Sequence, residues 1–310
     1  MFNKIAFFFP GQGSQSVGMM SGFGDNPVIK QTFTEASDIL GVDFWTMATE
    51  PNELLNLTQN TQPLMLIAGI ATHRKALQAG LQASIYAGHS LGEYTALVAS
   101  NALSFADALP LVKYRAQVMQ SAVPEGVGAM AAILGLDDEL VREACLKAAN
   151  GEVCEAVNYN SIGQVVIAGN KAAIERAMEI CKANGAKRAL PLPVSVPSHC
   201  ALMRPAAEKL AQYLENVTID PPQIPVIHNA DVAAYNDSAR IKAALVRQLY
   251  SPVRWVETVQ AIYDQGITNS AEIGPGKVLA GLTKRIVAHL PCSALTSTEA
   301  IDEFIKINQT

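Results

Sequence analysis

Basic character is the first thing this sequence lacks. Its 310 residues carry 23 Lys and Arg against 28 Asp and Glu, a formal net charge of −5. General nucleic-acid binding needs a basic face and usually a basic pI, so it is excluded here, although a local basic patch is not. Long apolar runs are missing too. The longest early one, Ile5–Phe9, is five residues and stops at Pro10. That is too short for a secretory signal core, and nothing approaches the ~20 apolar residues of a membrane span. Paired cysteines are also lacking. The five are Cys145, Cys154, Cys181, Cys200 and Cys292, an odd number with no C-x-x-C spacing. They support neither a disulfide framework nor a zinc site, and point to a reducing cytoplasm. No internal repeat or low-complexity tract is present.

What the chain does have is apolar mass. Apolar residues make up 49% and charged residues 16%, enough for a large core and against disorder. At ~150 residues per domain the length corresponds to about two domains, though single α/β domains reach this size. Ile5–Phe9 reads as a buried strand entering the Gly-rich turn Pro10-Gly11-Gln12-Gly13-Ser14. Helices follow over 27–40 and from about Thr61, the second with Pro63 in its first turn. Ser84–Ala87 is a short strand, Glu93–Ser100 a helix, and 105–119 another. This alternation predicts a mostly parallel sheet covered on both faces.

The rhythm changes in the middle. Strand Ala129–Leu134, helix 137–149, strands Val153–Tyr159 and Gln164–Ala168, helix Lys171–Asn184 and strand Ala186–Leu192 follow in the order β-α-β-β-α-β. That is the split ferredoxin-like unit. The expected organisation is an α/β hydrolase-like body over 1–125 and 197–310, with a ferredoxin-like α+β subdomain, 126–196, set into it. The body resumes with a helix over 201–214, strand Ile224–His228, helices 238–250 and Trp255–Gln265, and strand Asn269–Ile273. A Gly274-Pro275-Gly276 turn then opens what the pattern makes the last helix.

Gly88-His89-Ser90-Leu91-Gly92 carries the strongest chemical signal. It is G-x-S-x-G between a strand and a helix, the context this motif requires. A turn this sharp strains Ser90 and exposes its hydroxyl, and side chains at 88 and 92 would clash. Ser90 also lands near a helix N-terminus, where free N–H groups favour negative charge, so the Leu91 N–H is a natural oxyanion donor. The plainer alternative is a Gly-Ser turn without chemistry. A serine nucleophile needs a base. His89 adjoins it but points elsewhere by alternation, His73 precedes the motif on a helix, and His289 sits in the polar last helix. His199, in Val196-Pro197-Ser198-His199, lies where the body resumes, at the cleft between the two units. His228, at a strand end, is its main rival.

Arg115 is the other informative residue. Its neighbours at i±3 and i±4 are Leu111, Val112, Val118 and Met119, so the charge stands on or beside an inward face. Arginine cannot escape by losing its proton and needs an anion there. An internal salt bridge and a bidentate clamp for a substrate carboxylate both satisfy that need. Pro110 either kinks this helix or marks its start. Gly11-Gln12-Gly13 is not a dinucleotide fingerprint, because the third glycine position holds Ser16. It suits a close backbone approach to a ligand or a second oxyanion N–H. Gly274-Pro275-Gly276-Lys277 lacks phosphate-loop spacing, and the acidic residues show no metal-ligand clustering.

Taken in order, Phe9-Pro10-Gly11-Gln12-Gly13-Ser14-Gln15, Gly88-His89-Ser90-Leu91-Gly92, Tyr114-Arg115, Val196-Pro197-Ser198-His199, Arg247-Gln248-Leu249-Tyr250 and Glu272-Ile273-Gly274-Pro275-Gly276 resemble the malonyl-CoA:acyl-carrier-protein transacylases of bacterial type II fatty acid synthesis. The resemblance covers nearly the whole chain. It implies Ser90 as nucleophile and His199 as base, with the backbone carbonyl of Gln248 rather than an acid orienting the histidine. It further implies oxyanion N–H groups from Gln12 and Leu91, and Arg115 as the malonyl carboxylate clamp. No cofactor is implied beyond coenzyme A as part of the substrate thioester. The implied partners are malonyl-CoA and acyl carrier protein.

Two other classes compete. A serine hydrolase would share the turn but usually carries an acid before its histidine and has no use for Arg115; a non-catalytic carrier-binding module would leave Ser90 unlabelled. Acyl carrier proteins are acidic, and so is this chain, so docking requires a local basic patch. Lys187-Arg188 is one candidate. Lys277 with Lys284 and Arg285 is preferred, because 277 and 284 share a helical face beside the cleft rim.

Overall fold

The computed structural model describes residues 4–194 and 196–308. Residues 1–3, 195 and 309–310, which the expected body and insert include, lie outside them. Strand β1 (Ile5–Phe9) is followed by α1 (Pro27–Leu40), α2 (Phe44–Thr49) and α3 (Thr58–Gln78). Strand β2 (Ile85–Gly88) runs almost directly into α4 (Leu91–Ala99), and α5 (Phe105–Gln120) comes next. A second unit consists of β3 (Gly128–Leu134), α6 (Asp138–Ala149), β4 (Cys154–Ser161), β5 (Gln164–Asn170), α7 (Lys171–Ala183) and β6 (Arg188–Pro191). The chain then continues through α8 (Arg204–Glu215), β7 (Val226–His228), β8 (Ala233–Ala234), α9 (Ser238–Gln248), α10 (Trp255–Asp264), β9 (Asn269–Ile273), α11 (Val278–Ile286), β10 (Cys292–Leu295) and α12 (Thr298–Asn308).

The large sheet has the order β10-β9-β1-β2-β7-β8 and is parallel except for the short β7–β8 pair. Strand β1 sits inside it and is buried along its whole length. A continuous apolar run suits a strand covered on both faces, because successive side chains point to opposite sides. Ile5, Phe7 and Phe9 enter the core formed with α1, α3, α4, α5 and α8, whereas Ala6 and Phe8 enter a separate core with Trp255 and Val259 of α10 and Leu279 and Leu282 of α11.

The second unit has strand order β4-β5-β3-β6, antiparallel throughout, which is the ferredoxin-like arrangement. One face packs on α6 and α7 through Ile133, Val141, Cys145, Ile174 and Cys181. The other face, with Met130, Val157 and Val166, packs against Cys200 and so lies beside His199. Main-chain bonds join the two units: Val253 N–H donates to Val157 at 2.8 Å and Tyr159 N–H to Val253 at 3.0 Å.

The structure corrects several sequence expectations. Helix α11 is not the last, since β10 and α12 follow it, and His289 lies beyond α11 rather than in a last helix. Helix α3 starts at Thr58, because the N–H groups of Asn60 and Thr61 already bond to Leu57 O, which puts Pro63 at its sixth residue. Pro110 neither starts nor ends α5. Ser104 caps that helix, its side chain accepting from Asp107 N–H at 3.0 Å, and the proline sits inside.

Candidate active site

The site forms where β1 and β2 end. Ser90 stands between β2 and α4 with φ 51° and ψ −109°, a strained conformation for a side-chain-bearing residue. Glycines make the turn sterically possible. A Cβ on Gly88 would lie 1.9 Å from the Gly92 carbonyl group, one on Gly92 would lie 2.0 Å from Phe9 O, and one on Gly11 would lie 2.4 Å from His89 O. The Pro10–Ser14 loop is therefore interlocked with the serine turn. His89 is directed away, its Nε2 lying 2.8 Å from Asn160 Oδ1 of β4.

His199 meets Ser90 from the other side. Its own backbone is in the left-handed region, with φ 67°, and its N–H is anchored to Leu249 O at 3.0 Å. Nδ1 lies 2.7 Å from Gln248 O and Nε2 lies 2.8 Å from Ser90 Oγ. A carbonyl oxygen only accepts, so the proton resides on Nδ1 and Nε2 is left to accept the Ser90 hydroxyl proton. Burial, reinforced by the Arg115 charge, pushes the His199 pKa down to about 3, so the ring is neutral at pH 7 with its Nε2 lone pair unprotonated. The rival His228 is elsewhere engaged. Its Nδ1 lies 2.7 Å from the buried Glu93 carboxylate, and its ring stacks on Tyr235.

Arg115 completes the group. Its residue is only 1% exposed. Nη1 donates to Gln62 Oε1 at 2.7 Å, while Nη2 donates to Gln248 Oε1 at 2.9 Å and to Ser90 Oγ at 3.2 Å. Nε has no partner. Among the described residues no carboxylate pairs with it directly; Glu93 is reached only through the Gln248 amide, whose Nε2 donates to Glu93 Oε2 at 3.0 Å. The internal salt bridge that the sequence allowed is thus absent. A desolvated guanidinium with neutral partners favours an incoming anion, and burial lowers its pKa for want of one.

Among the first N–H groups of α4, Gly92 donates to His89 O at 2.9 Å and Glu93 to Ser90 O at 3.0 Å. Leu91 N–H has no acceptor among the described residues, nor does Gln12 N–H, on the loop that Gly11 presses against the turn. Lys277, Lys284 and Arg285 are exposed on and before α11, and Arg285 Nη1 donates to Gln164 Oε1 at 2.7 Å. Sequence reasoning missed Gln62, Glu93 and Asn229. A polar Gln62 within the apolar stretch of α3 was a usable signal. Asn229 offered only its place at the carboxyl end of a parallel strand. Among the described residues no group of three or more His, Cys, Asp or Glu side chains is placed to hold a metal ion. No helix there is long and apolar enough to cross a membrane.

A parallel α/β sheet that presents a serine on a strained strand-to-helix turn, with a neutral histidine on its hydroxyl and two free N–H groups nearby, has the design of the serine acyl-transfer enzymes. Within that class the chain belongs to the acyl transferase domain family, which matches residues 6–298. The malonyl CoA-acyl carrier protein transacylase of Salmonella typhimurium is 54% identical over 301 residues, covering 96% of this chain and 97% of that relative. The crystal structure of the acyl-carrier-protein S-malonyltransferase from Burkholderia pseudomallei is similar with a TM-score of 0.96 at 58% identity, over 98% of this chain and 99% of that one. A malonyl-transacylase in complex with a type II polyketide synthase acyl-carrier protein is similar with a TM-score of 0.96 at 52% identity, over 98% and 99% of the two chains.

Proposed function

We propose that this enzyme moves the malonyl group from malonyl-CoA to the phosphopantetheine thiol of acyl carrier protein, in fatty acid biosynthesis. The observation that carries the reading is Arg115, buried without a carboxylate partner among the described residues and 3.2 Å from Ser90 Oγ. A hydrolase of simple acyl esters has no need of it. Transfer takes place in two halves. Ser90 Oγ attacks the thioester carbonyl as its proton passes to His199 Nε2. The N–H groups of Gln12 and Leu91 hold the oxyanion, the C–S bond breaks, and the coenzyme A sulfur takes the proton from His199. The carrier thiol then gives its proton to His199, attacks the Ser90 ester and displaces Oγ, which recovers the proton. Gln248 O keeps the imidazole in the required tautomer throughout. Coenzyme A takes part only as half of the substrate.

The body, 1–125 and 197–310, supplies these groups in this reading, and the insert, 126–196, walls the cleft. A cytoplasmic setting is supported by the five cysteines, an odd number with no C-x-x-C spacing. The test is malonyl-CoA consumption with and without a thiol acceptor. Consumption should depend on the acceptor; equal turnover to free malonate without it would make the protein a thioesterase instead.

Arg115→Ala should lower malonyl transfer by roughly 10- to 100-fold, the worth of about one charge-assisted hydrogen bond. Acetyl transfer should fall less or rise. Equal loss for both acyl groups in parallel kinetics would reduce Arg115 to a structural residue.

The carrier docks, in this proposal, on Lys277, Lys284 and Arg285. The turn before α11 adjoins the cleft loops, since a Cβ on Gly276 would sit 3.2 Å from Ser14 Cβ and one on Gly274 3.1 Å from Pro10 Cγ. Reversing Lys284 and Arg285 to Glu should raise KM for carrier protein and weaken its salt dependence, with transfer to free pantetheine near normal. If both acceptors suffer alike, or neither does, the patch lies elsewhere.

A further inference from the structure

We propose that Asn229 is a positioning residue for the acyl transfer, the group that holds the serine turn in its strained form and thereby aims the Ser90 hydroxyl and the Leu91 N–H. The inference rests on Ser90 as nucleophile. The sharp turn takes two main-chain groups out of the β2 ladder, the Gly88 carbonyl and the Ser90 N–H. One side-chain amide satisfies both. Asn229 Oδ1 accepts from Ser90 N–H at 2.7 Å, and Nδ2 donates to Gly88 O at 2.7 Å. A single planar group thus spans the two peptides on either side of His89, the second of which enters Ser90 and fixes one side of its φ, while the Ser90 carbonyl beyond is held by Gln248 Nε2 at 3.0 Å.

The clamp is itself fixed. Asn229 is fully buried and follows β7, whose pairing of Ile227 with Ala87 of β2 brings the strand end beside the turn. Its N–H donates to Glu93 Oε2 at 2.8 Å. Gln248 Nε2 approaches Oδ1 at 3.5 Å, so donors surround the oxygen side of the amide. Flipping it would turn its NH2 toward the Ser90 N–H and the Gln248 NH2 and leave the Gly88 carbonyl facing an oxygen. Asn229 makes no hydrogen bond to Arg115: it meets Ser90 at the main-chain N–H and Gln248 at Nε2, whereas Arg115 holds Ser90 Oγ and Gln248 Oε1. Its loss should therefore slow the chemical step and spare substrate binding.

The test is single-turnover acylation by malonyl-CoA, followed by intact mass, for the wild type, Ser90→Ala, Asn229→Ala and Asn229→Asp, each normalised to folded protein by thermal melting. Asn229→Ala should lower the maximal acylation rate by about 10²-fold, comparable to losing an oxyanion donor, at an unchanged half-saturating malonyl-CoA concentration. Asn229→Asp, nearly the same shape, separates geometry from packing. Ionised, it repels the Gly88 carbonyl; protonated, its O–H can donate there while the other oxygen accepts from Ser90. Its acylation should rise as pH falls, where the wild type does not. The titratable or charged groups around this position are Glu93 and His228, with Arg115 reached through Gln248 and His199 beyond Ser90, and the wild type carries all of them as the reference. Asn229→Ala acylating at the wild-type rate, a rise in half-saturation alone, or an Asp profile parallel to the wild type would each overturn the proposal. If the wild type gains no malonyl adduct, or Ser90→Ala gains one, the nucleophile reading fails first and takes this one with it.

Discussion

Ser90→Ala should take up no malonyl group when incubated with malonyl-CoA, whereas the wild-type chain gains one, read by intact mass. Among the described residues it is the Ser90 hydroxyl that lies both within donating reach of His199 Nε2, at 2.8 Å, and against Arg115 Nη2, at 3.2 Å. The variant should still fold. The missing oxygen removes two hydrogen bonds worth about 1 kcal/mol each, against a typical stability of 5–15 kcal/mol. Glycines 11, 88 and 92, which shape the turn, are untouched. A persisting adduct of the same mass would sink the assignment.

His199→Ala should slow acylation by about 10²- to 10⁴-fold, the usual loss when a general base is removed. His228→Ala should do far less to acylation, since its ring faces Glu93 rather than the serine. The reverse ranking would exchange their roles. The buried setting of His199 adds a pH signature. Its pKa, lowered to about 3 by burial and then by the Arg115 charge, leaves the base free of its proton well below the ordinary histidine range near 6.5. Acylation kcat/KM should therefore show no inflection near pH 6.5 and hold its level toward acid. Stability behaves differently. Between pH 6.5 and about 3 the unfolded chain binds a proton that folded His199 refuses. This contribution is complete above the unfolded pKa and is lost as pH falls toward the folded one. An acid limb in acylation at pH 6.5, measured where the protein remains folded, would contradict the neutral buried imidazole.

Much of the site was legible because steric rules act locally. G-x-S-x-G between a strand and a helix demands two glycines whatever the rest of the chain does, and those two positions leave no room for a Cβ. Arg115 stood out because a charge among apolar i±3 and i±4 neighbours is costly. Choosing His199 over His228 was harder, since both lie on loops or strand ends whose meeting with Ser90 depends on tertiary structure. Glu93, Gln248 and Asn229 show why. Their side chains form one buried network from residues 93, 229 and 248, and no local spacing links them. At the level of fold, the β-α-β-β-α-β order revealed the insert. The final strand and helix went unseen because Cys292–Leu295 is only four residues long and its first three are half-buried, so neither alternation nor an apolar run marks it.

The sheet order also bears on the sequence of events during synthesis. Strand β1 leaves the ribosome first, yet one of its two neighbours is β9, drawn from Asn269–Ile273, and β10 beyond that comes from Cys292–Leu295. The insert, by contrast, takes its four strands from the unbroken stretch Gly128–Pro191. A ribosome-arrested chain exposed just past residue 191 holds everything the insert needs and only part of the body's sheet. The smaller unit can thus mature inside a host that is still unfinished. Limited proteolysis of such arrested chains should find β3 to β6 protected while β1 is still cut, and protection of β1 at that length would show that the body closes without its late strands.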